Sequence, residues 1–136
     1  MKLKLSEQSS AQLREAEAKA RSGVVASLKE KPAVFRLERP LDPARARSLG
    51  YKSLPGYMSA ISRVPRGGRR KPRPTSGRRS KHAGSVLFTP GLSRGEIAVA
   101  RAARKFKNMR ALGYHKIAED GTNLWFEVVF VDRAKD

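Results

Sequence analysis

Cysteine is absent from all 136 residues, which excludes disulfides, thiolate metal sites and a cysteine nucleophile. Histidine occurs only at His82 and His115, far apart in the chain, and no H-E-x-x-H, P-loop or G-x-S-x-G spacing accompanies them. The adjacent acids Glu119 and Asp120 stand in a turn-like stretch where turn formation accounts for Asp120. No acid, base and nucleophile converge, so no catalytic residue, metal ligand or cofactor is expected. No apolar run approaches the roughly 20 residues of a membrane-spanning helix, and no apolar signal region opens the chain. A soluble, intracellular protein with no membrane partner and no small-molecule substrate is the expectation.

Acid is the other shortage. Against 30 Lys and Arg there are 12 Asp and Glu, a formal charge of +18, and no acid lies between Asp42 and Glu96. Residues 41–84 alone carry 12 basic groups and one acidic group. An ordinary soluble surface intersperses the two signs. A chain this one-sided repels itself unless a polyanion stands beside it.

Periodicity divides the chain into short elements of both kinds. Residues 6–21 suit a surface helix with Ser6 as cap, Leu13, Ala16 and Ala20 on one side, and Glu15 four residues before Lys19. Residues 33–38 alternate as a strand, stopped by Pro40. Asp42-Pro43 then opens a short helix as N-cap and first-turn proline, closed by Gly50 as the C′ residue, and this helix carries Arg45 and Arg47. Residues 56–64 read as a second strand with Met58, Ala60 and Val64 on one face and Tyr57, Ile61 and Arg63 on the other.

Ser93 with Glu96 forms an S-x-x-E capping box that opens a helix to about Phe106. Its expected core face is Ile97, Ala100, Ala103 and Phe106, with Arg94, Arg101, Arg104 and Lys105 toward solvent or ligand. Residues 109–118 and 124–131 make a hairpin. Asp120-Gly121 is expected to supply the positive φ of a tight primed turn. Leu124, Phe126, Val128 and Phe130 form the apolar face, with Trp125, Glu127, Val129 and Val131 opposite. The order α-β-α-β-loop-α-β-β predicts an α+β fold, a four-stranded mixed or antiparallel sheet with flanking helices. Residues 1–31 are expected as an N-terminal helical segment and 32–136 as a single domain, with 65–92 a long extended basic loop.

That loop grows out of the stretch RVPRGGRRKPRPTSGRRSK, residues 63–81, where seven Arg and two Lys meet no acid. Prolines hold the chain extended, and Gly67-Gly68 clears side chains where a backbone can approach phosphate. Too little apolar surface is present for the segment to order itself, so it is expected to be disordered until it meets a polyanion. Guanidinium forks grip phosphate and stack on bases, which favours shaped recognition of nucleic acid without separating RNA from DNA. Arg63, Arg66, Arg69, Arg70, Lys71, Arg73, Arg78, Arg79 and Lys81 are therefore candidate contacts. Tyr51, Tyr57, His82 and Phe88 border the cluster and suit stacking on the unpaired bases that RNA offers, although each ring taken singly also fits a domain edge. A solvated basic linker or import signal is the plainest alternative.

Three separated segments, RLERPLDPARARSLGYKSLPGY, SRVPRGGRRKPRP and the turn EDG before WFEVVFVD, occur in the order seen in one family. Over residues 32–133 the chain resembles the large-subunit ribosomal protein fifteen-e family of archaea and eukaryotes, which is distinct from the universal protein sharing that number. The resemblance implies an α+β fold with a four-stranded sheet and a structural role on large-subunit ribosomal RNA. It further implies residence in the cytoplasmic ribosome beside neighbouring ribosomal proteins. By position it assigns RNA contact to the Gly50-Tyr51-Lys52 turn, Arg63, Arg66 and the run Gly67, Gly68, Arg69, Arg70, Lys71. The short C-terminus leans toward an archaeal source. A basic chromatin or DNA-compacting protein and a free RNA chaperone remain as alternatives that share the charge.

Overall fold

The eight residues Leu124 to Val131 are buried without interruption, so this strand is covered on both of its faces. Everything else is arranged around it. The computed structural model describes residues 23–69, 71–85 and 89–135, and the helix expected over 6–21 lies outside them. In chain order the elements are α1 (described over residues 23–30), β1 (Val34–Leu37), α2 (Pro43–Ser48), β2 (Tyr57–Pro65), α3 (Arg94–Lys105), β3 (Met109–Glu119) and β4 (Asn123–Asp132). Single 3-10 turns occur at Ser80–His82 and Arg133–Lys135. The four strands form one sheet in the order β1-β2-β4-β3, antiparallel throughout, which settles the mixed-or-antiparallel expectation.

On one face α3 packs over Met58, Ala60, Val64, Leu124, Phe126, Val128 and Phe130, bringing Phe106 edge-on to Phe130 at 5.8 Å between ring centroids. The buried positions of α3 are Gly95, Ala98 and Ala102. Ala100, expected inside, is exposed, and Ile97, Ala103 and Phe106 are only half-buried. Positions three apart fall behind the 3.6-residue repeat, whereas the four-residue step from Ala98 to Ala102 keeps two small side chains against the sheet. The capping box forms as expected, Ser93 Oγ accepting from the Glu96 amide and Glu96 from the Ser93 amide.

On the other face, for which the sequence pattern named no cover, Leu28 of α1 closes over Ile61 and Trp125 with Phe35 and Leu37 alongside. The short helix α2 sits beyond it. Asp42 caps α2 through the Arg45 amide, and Gly50 at φ +98° allows the amides of Gly50 and Tyr51 to return to the carbonyls of Arg47 and Ala46. Leu49 then rests where a side chain at Gly113 would stand.

β3 is an edge strand with two irregularities. Its pairing with β4 shifts between Ala111 and Gly113 and again between Lys116 and Ala118, so Leu112 and Ile117 are extra residues that bulge from the ladder. The β3–β4 turn also departs from expectation: Gly121 does not take a positive φ, so no primed turn forms. The strands are closed by the Asp120 amide on the Asn123 carbonyl, with Gly121 and Thr122 between them.

Candidate nucleic-acid interface

Most of the candidate residues lie toward one end of β2 or the other. Tyr57 and Pro65 are eight residues apart, so the ends stand roughly 26 Å from each other. Toward the first end lie Tyr51, Lys52 and Tyr57, while Arg45 and Arg47 stand on α2, with Arg45 lining a cavity beside residues 115–119. Arg45, Arg47 and Lys52 are exposed, and Arg45 is steadied by Asp42 at 3.4 Å. Tyr51 and Tyr57 are half-buried and meet edge to face at 6.5 Å, so these two rings pack on each other, away from the basic loop.

At the second end β2 runs through the half-buried Arg63 into the basic segment. Its root is tied to the fold by backbone contacts. The Arg66 amide donates to the Thr122 carbonyl at 2.7 Å and its guanidinium to the Asp120 carbonyl at 3.3 Å. Arg94 donates to the Gly67 carbonyl, Arg69 to that of Leu92, and Arg101 to that of Arg63 at 3.0 Å. Gly67, at φ +100°, turns the chain away from the sheet. Beyond this root Arg66, Gly67, Gly68, Arg69, Lys71, Arg73, Arg78, Arg79, Lys81 and His82 are all exposed. Arg70 and Phe88 lie outside the described residues.

The loop's far part closes on itself. The Gly84 amide donates to the Pro74 carbonyl at 2.9 Å, and Arg78 returns its guanidinium to the Gly84 carbonyl at 3.0 Å. Gly84, at φ +89°, lies so near the Arg73 side chain that an added Cβ would come within 2.9 Å of it. The guanidinium groups of Arg69 and Arg78 thus turn to carbonyls, and among the described residues neither they nor Arg73 is ion-paired with an acid.

The nearest acids are occupied elsewhere. Lys116 holds the Glu119 carboxylate at 3.1 Å and lowers its pKa by hydrogen bond and charge, with Arg66 adding to the effect. Lys29 of α1 reaches Asp120 at 2.7 Å, and that hydrogen bond, with one from the Gly121 amide, lowers the Asp120 pKa. Asp120 is thus also a tie between α1 and the hairpin, beyond its turn-forming role. These neighbouring carboxylates are thus paired with lysines and not with the described arginines of the loop.

One feature of this side of the molecule escaped sequence reasoning. Glu127, in the middle of β4, is fully buried. Its carboxylate accepts from the Ser59 hydroxyl and from the amides of Leu41 and Asp42 at 3.3 and 3.5 Å, while His115 Nε2 stands 3.2 Å away. The run that enters α2 is thereby fastened to the sheet. An acid inside WFEVVFV, an apolar run too continuous for a one-sided strand, was the available signal. Among the described residues no group of three or more His, Cys, Asp or Glu is placed to hold a metal, and no helix is long and apolar enough to cross a membrane.

A four-stranded antiparallel sheet with a basic loop at the end of its second strand is the setting in which the family match falls. The family model described as Ribosomal L15, of the L15e type, matches residues 5–136. The chain belongs to that family. The match extends the resemblance seen over 32–133 to nearly the whole chain, the N-terminal segment included. Among curated relatives, the large ribosomal subunit protein eL15 of Methanocella arvoryzae is 42% identical over 104 residues, which cover 76% of this chain and 53% of that protein. The chain spans about half the length of this L15e relative.

Proposed function

We propose that this L15e-family chain is a non-catalytic structural component of the large ribosomal subunit that binds and stabilises ribosomal RNA, in the cytoplasm, beside neighbouring ribosomal proteins. The observation that carries the reading is the acid-free basic segment from Arg63 to Lys81, braced at its root by carbonyls and not by carboxylates. The folded sheet sets the direction of the loop, and the loop supplies guanidinium forks to phosphate oxygens in the crevice between packed RNA helices. Arg45, Arg47 and Lys52, on α2 and just after it, add a second contact, and Tyr51 and Tyr57 are half-exposed beyond it.

Crosslinking in cells followed by sequencing of the bound nucleic acid tests the partner directly. Recovery dominated by large-subunit ribosomal RNA is the expected result. Recovery spread over genomic DNA would instead favour the chromatin reading, and recovery of many unrelated transcripts the chaperone reading. In vitro, replacing Arg69, Arg70, Lys71 and Arg73 with Ser should flatten the dependence of affinity on salt by roughly 0.7 to 0.9 for each phosphate that is no longer neutralised.

A further inference from the structure

The basic residues of α3 form a charged surface that the loop and α2 do not include. Arg101 and Lys105 lie on one flank of this helix, toward the β1 edge of the sheet, where Arg101 donates to the Arg63 carbonyl and Lys105 to the Val34 carbonyl at 2.8 Å. Arg36 belongs to the same face, since it pairs with Ala60, a residue of the core beneath α3. Arg104 follows on the outward side of the helix, one turn from Arg101. All four side chains are exposed, and among the described residues none makes an ion pair.

Bracing explains only part of this arrangement. A guanidinium has five donors and an ammonium three, so one carbonyl each leaves most of the donors of Arg101 and Lys105 directed outward. The carbonyl contacts hold two flexible side chains in place, which lowers the ordering cost of a second contact. Among the described residues Arg36 and Arg104 brace nothing, and they still carry charge. The nearest acids in sequence are Glu38, beyond the end of β1, and Glu96, whose carboxylate is turned onto the Ser93 amide at 2.6 Å. Four like charges gathered without a counter-charge are unfavourable until an anion arrives.

Its position gives this patch a consequence. α3 covers one face of the sheet, whereas α1 and α2, with Arg45 and Arg47, cover the other. A rigid, convex RNA duplex meets one of these faces at a time. We infer that the α3 flank formed by Arg36, Arg101, Arg104 and Lys105 is a further phosphate-backbone contact, so that the protein bridges two RNA segments across its sheet. This inference rests on the proposed function and adds to it a second, separately placed RNA segment.

The test uses the full chain and a mixed-sequence RNA duplex prepared in donor-labelled and acceptor-labelled batches. The wild-type protein should bring the two labels together and raise energy transfer. A variant with Arg36→Gln and Arg104→Gln, neither of which braces the fold, should still bind RNA but lose that transfer, and its salt slope should fall by roughly 1.4 to 1.8 for two charges. The loop variant should lose its own share of the slope independently. Unchanged bridging and an unchanged slope in the α3 variant would overturn the inference while leaving the loop's role standing. A wild-type protein that fails to bind the duplex, or binds it with no salt dependence, would overturn the proposed function itself. Comparable unfolding midpoints for the wild-type and α3-variant proteins establish that the comparison reads binding.

Discussion

Replacing Glu127 with Val keeps a strand-forming, apolar side chain at the centre of β4 and removes the carboxylate on which four groups converge. The Ser59 hydroxyl, itself 1% exposed, loses its acceptor, and so do the amides of Leu41 and Asp42. His115, whose buried ring nitrogens make no hydrogen bond even in the native protein, loses the carboxylate that stands 3.2 Å from its Nε2. Each buried donor deprived of its acceptor costs about 1 to 3 kcal/mol, with the two longer amide contacts at the low end. The total falls at about 3 to 5 kcal/mol, the range for breaking a buried pair by removing one member. A domain this size has about 5 to 15 kcal/mol in all, so roughly a fifth or more of its stability should vanish. Trp125 is the only tryptophan and is buried two residues away, which makes urea unfolding followed by its fluorescence the natural assay. Glu127→Gln, which keeps the shape and one acceptor oxygen, should cost less, about 1 to 2 kcal/mol. Amide exchange should accelerate over residues 41–49 in the Val variant, because its tie to the sheet is gone. A loss under about 0.5 kcal/mol would refute the claim that this network seats α2.

Gly95→Ala should destabilise by about 1 to 2 kcal/mol, because the new Cβ would meet the Tyr114 ring at 1.9 Å and overpacking outweighs the gain in helix propensity; in a Tyr114→Ala background the same change should be neutral or stabilising. Phe130→Ala should cost about 3 to 5 kcal/mol by chemical denaturation, since the ring is fully buried against Phe106, whereas Arg73→Ala should leave the midpoint unmoved. Glu119 and Asp120 have lowered pKa values, so their contribution is present above the ordinary carboxylate range and is lost as pH falls through the lowered native values. Carboxyl titration by NMR should therefore show both midpoints below those of unstructured peptides, with Lys29→Ala raising that of Asp120 while the Gly121 amide still holds it down in part. Amides of residues 71–79 should exchange rapidly in the free protein and slowly on RNA; strong protection without RNA would mean the loop packs on its own domain.

Features encoded by neighbouring residues were readable, and features that depend on distant packing were not. Asp42-Pro43 with Gly50, and Ser93 with Glu96, specify helix ends through contacts a few residues long, and all of them appear in the structure. The alternation of β2 and β4 likewise placed Met58, Phe126, Val128 and Phe130 in one core. What periodicity did not convey was the cover over the second face, because that depends on Leu28 reaching Trp125 across nearly a hundred residues. The burial of Glu127, read only as lying opposite the apolar face, follows from that same cover. The phase of α3 was missed for a related reason: Ala98 and Ala102 carry little hydrophobic signal, yet close approach to a sheet favours them over Ile97. At the candidate interface the density of Arg marked the loop, but only the fold reveals that Tyr51 and Tyr57 stand at the opposite end of β2.

The two bulges of β3 bear on the interval before the protein finds a partner. An open four-stranded sheet has two free edges, each a template on which a second copy can add a strand. Along β3 the extra residues Leu112 and Ile117 break the regular spacing of free amides and carbonyls, so an incoming strand finds no continuous ladder to match. β1 is only four residues long, and Lys105 already occupies the Val34 carbonyl. Both edges are thus unsuited to self-association, and a freshly made chain is steered away from stacking into β-aggregates by its backbone shape as well as by its charge.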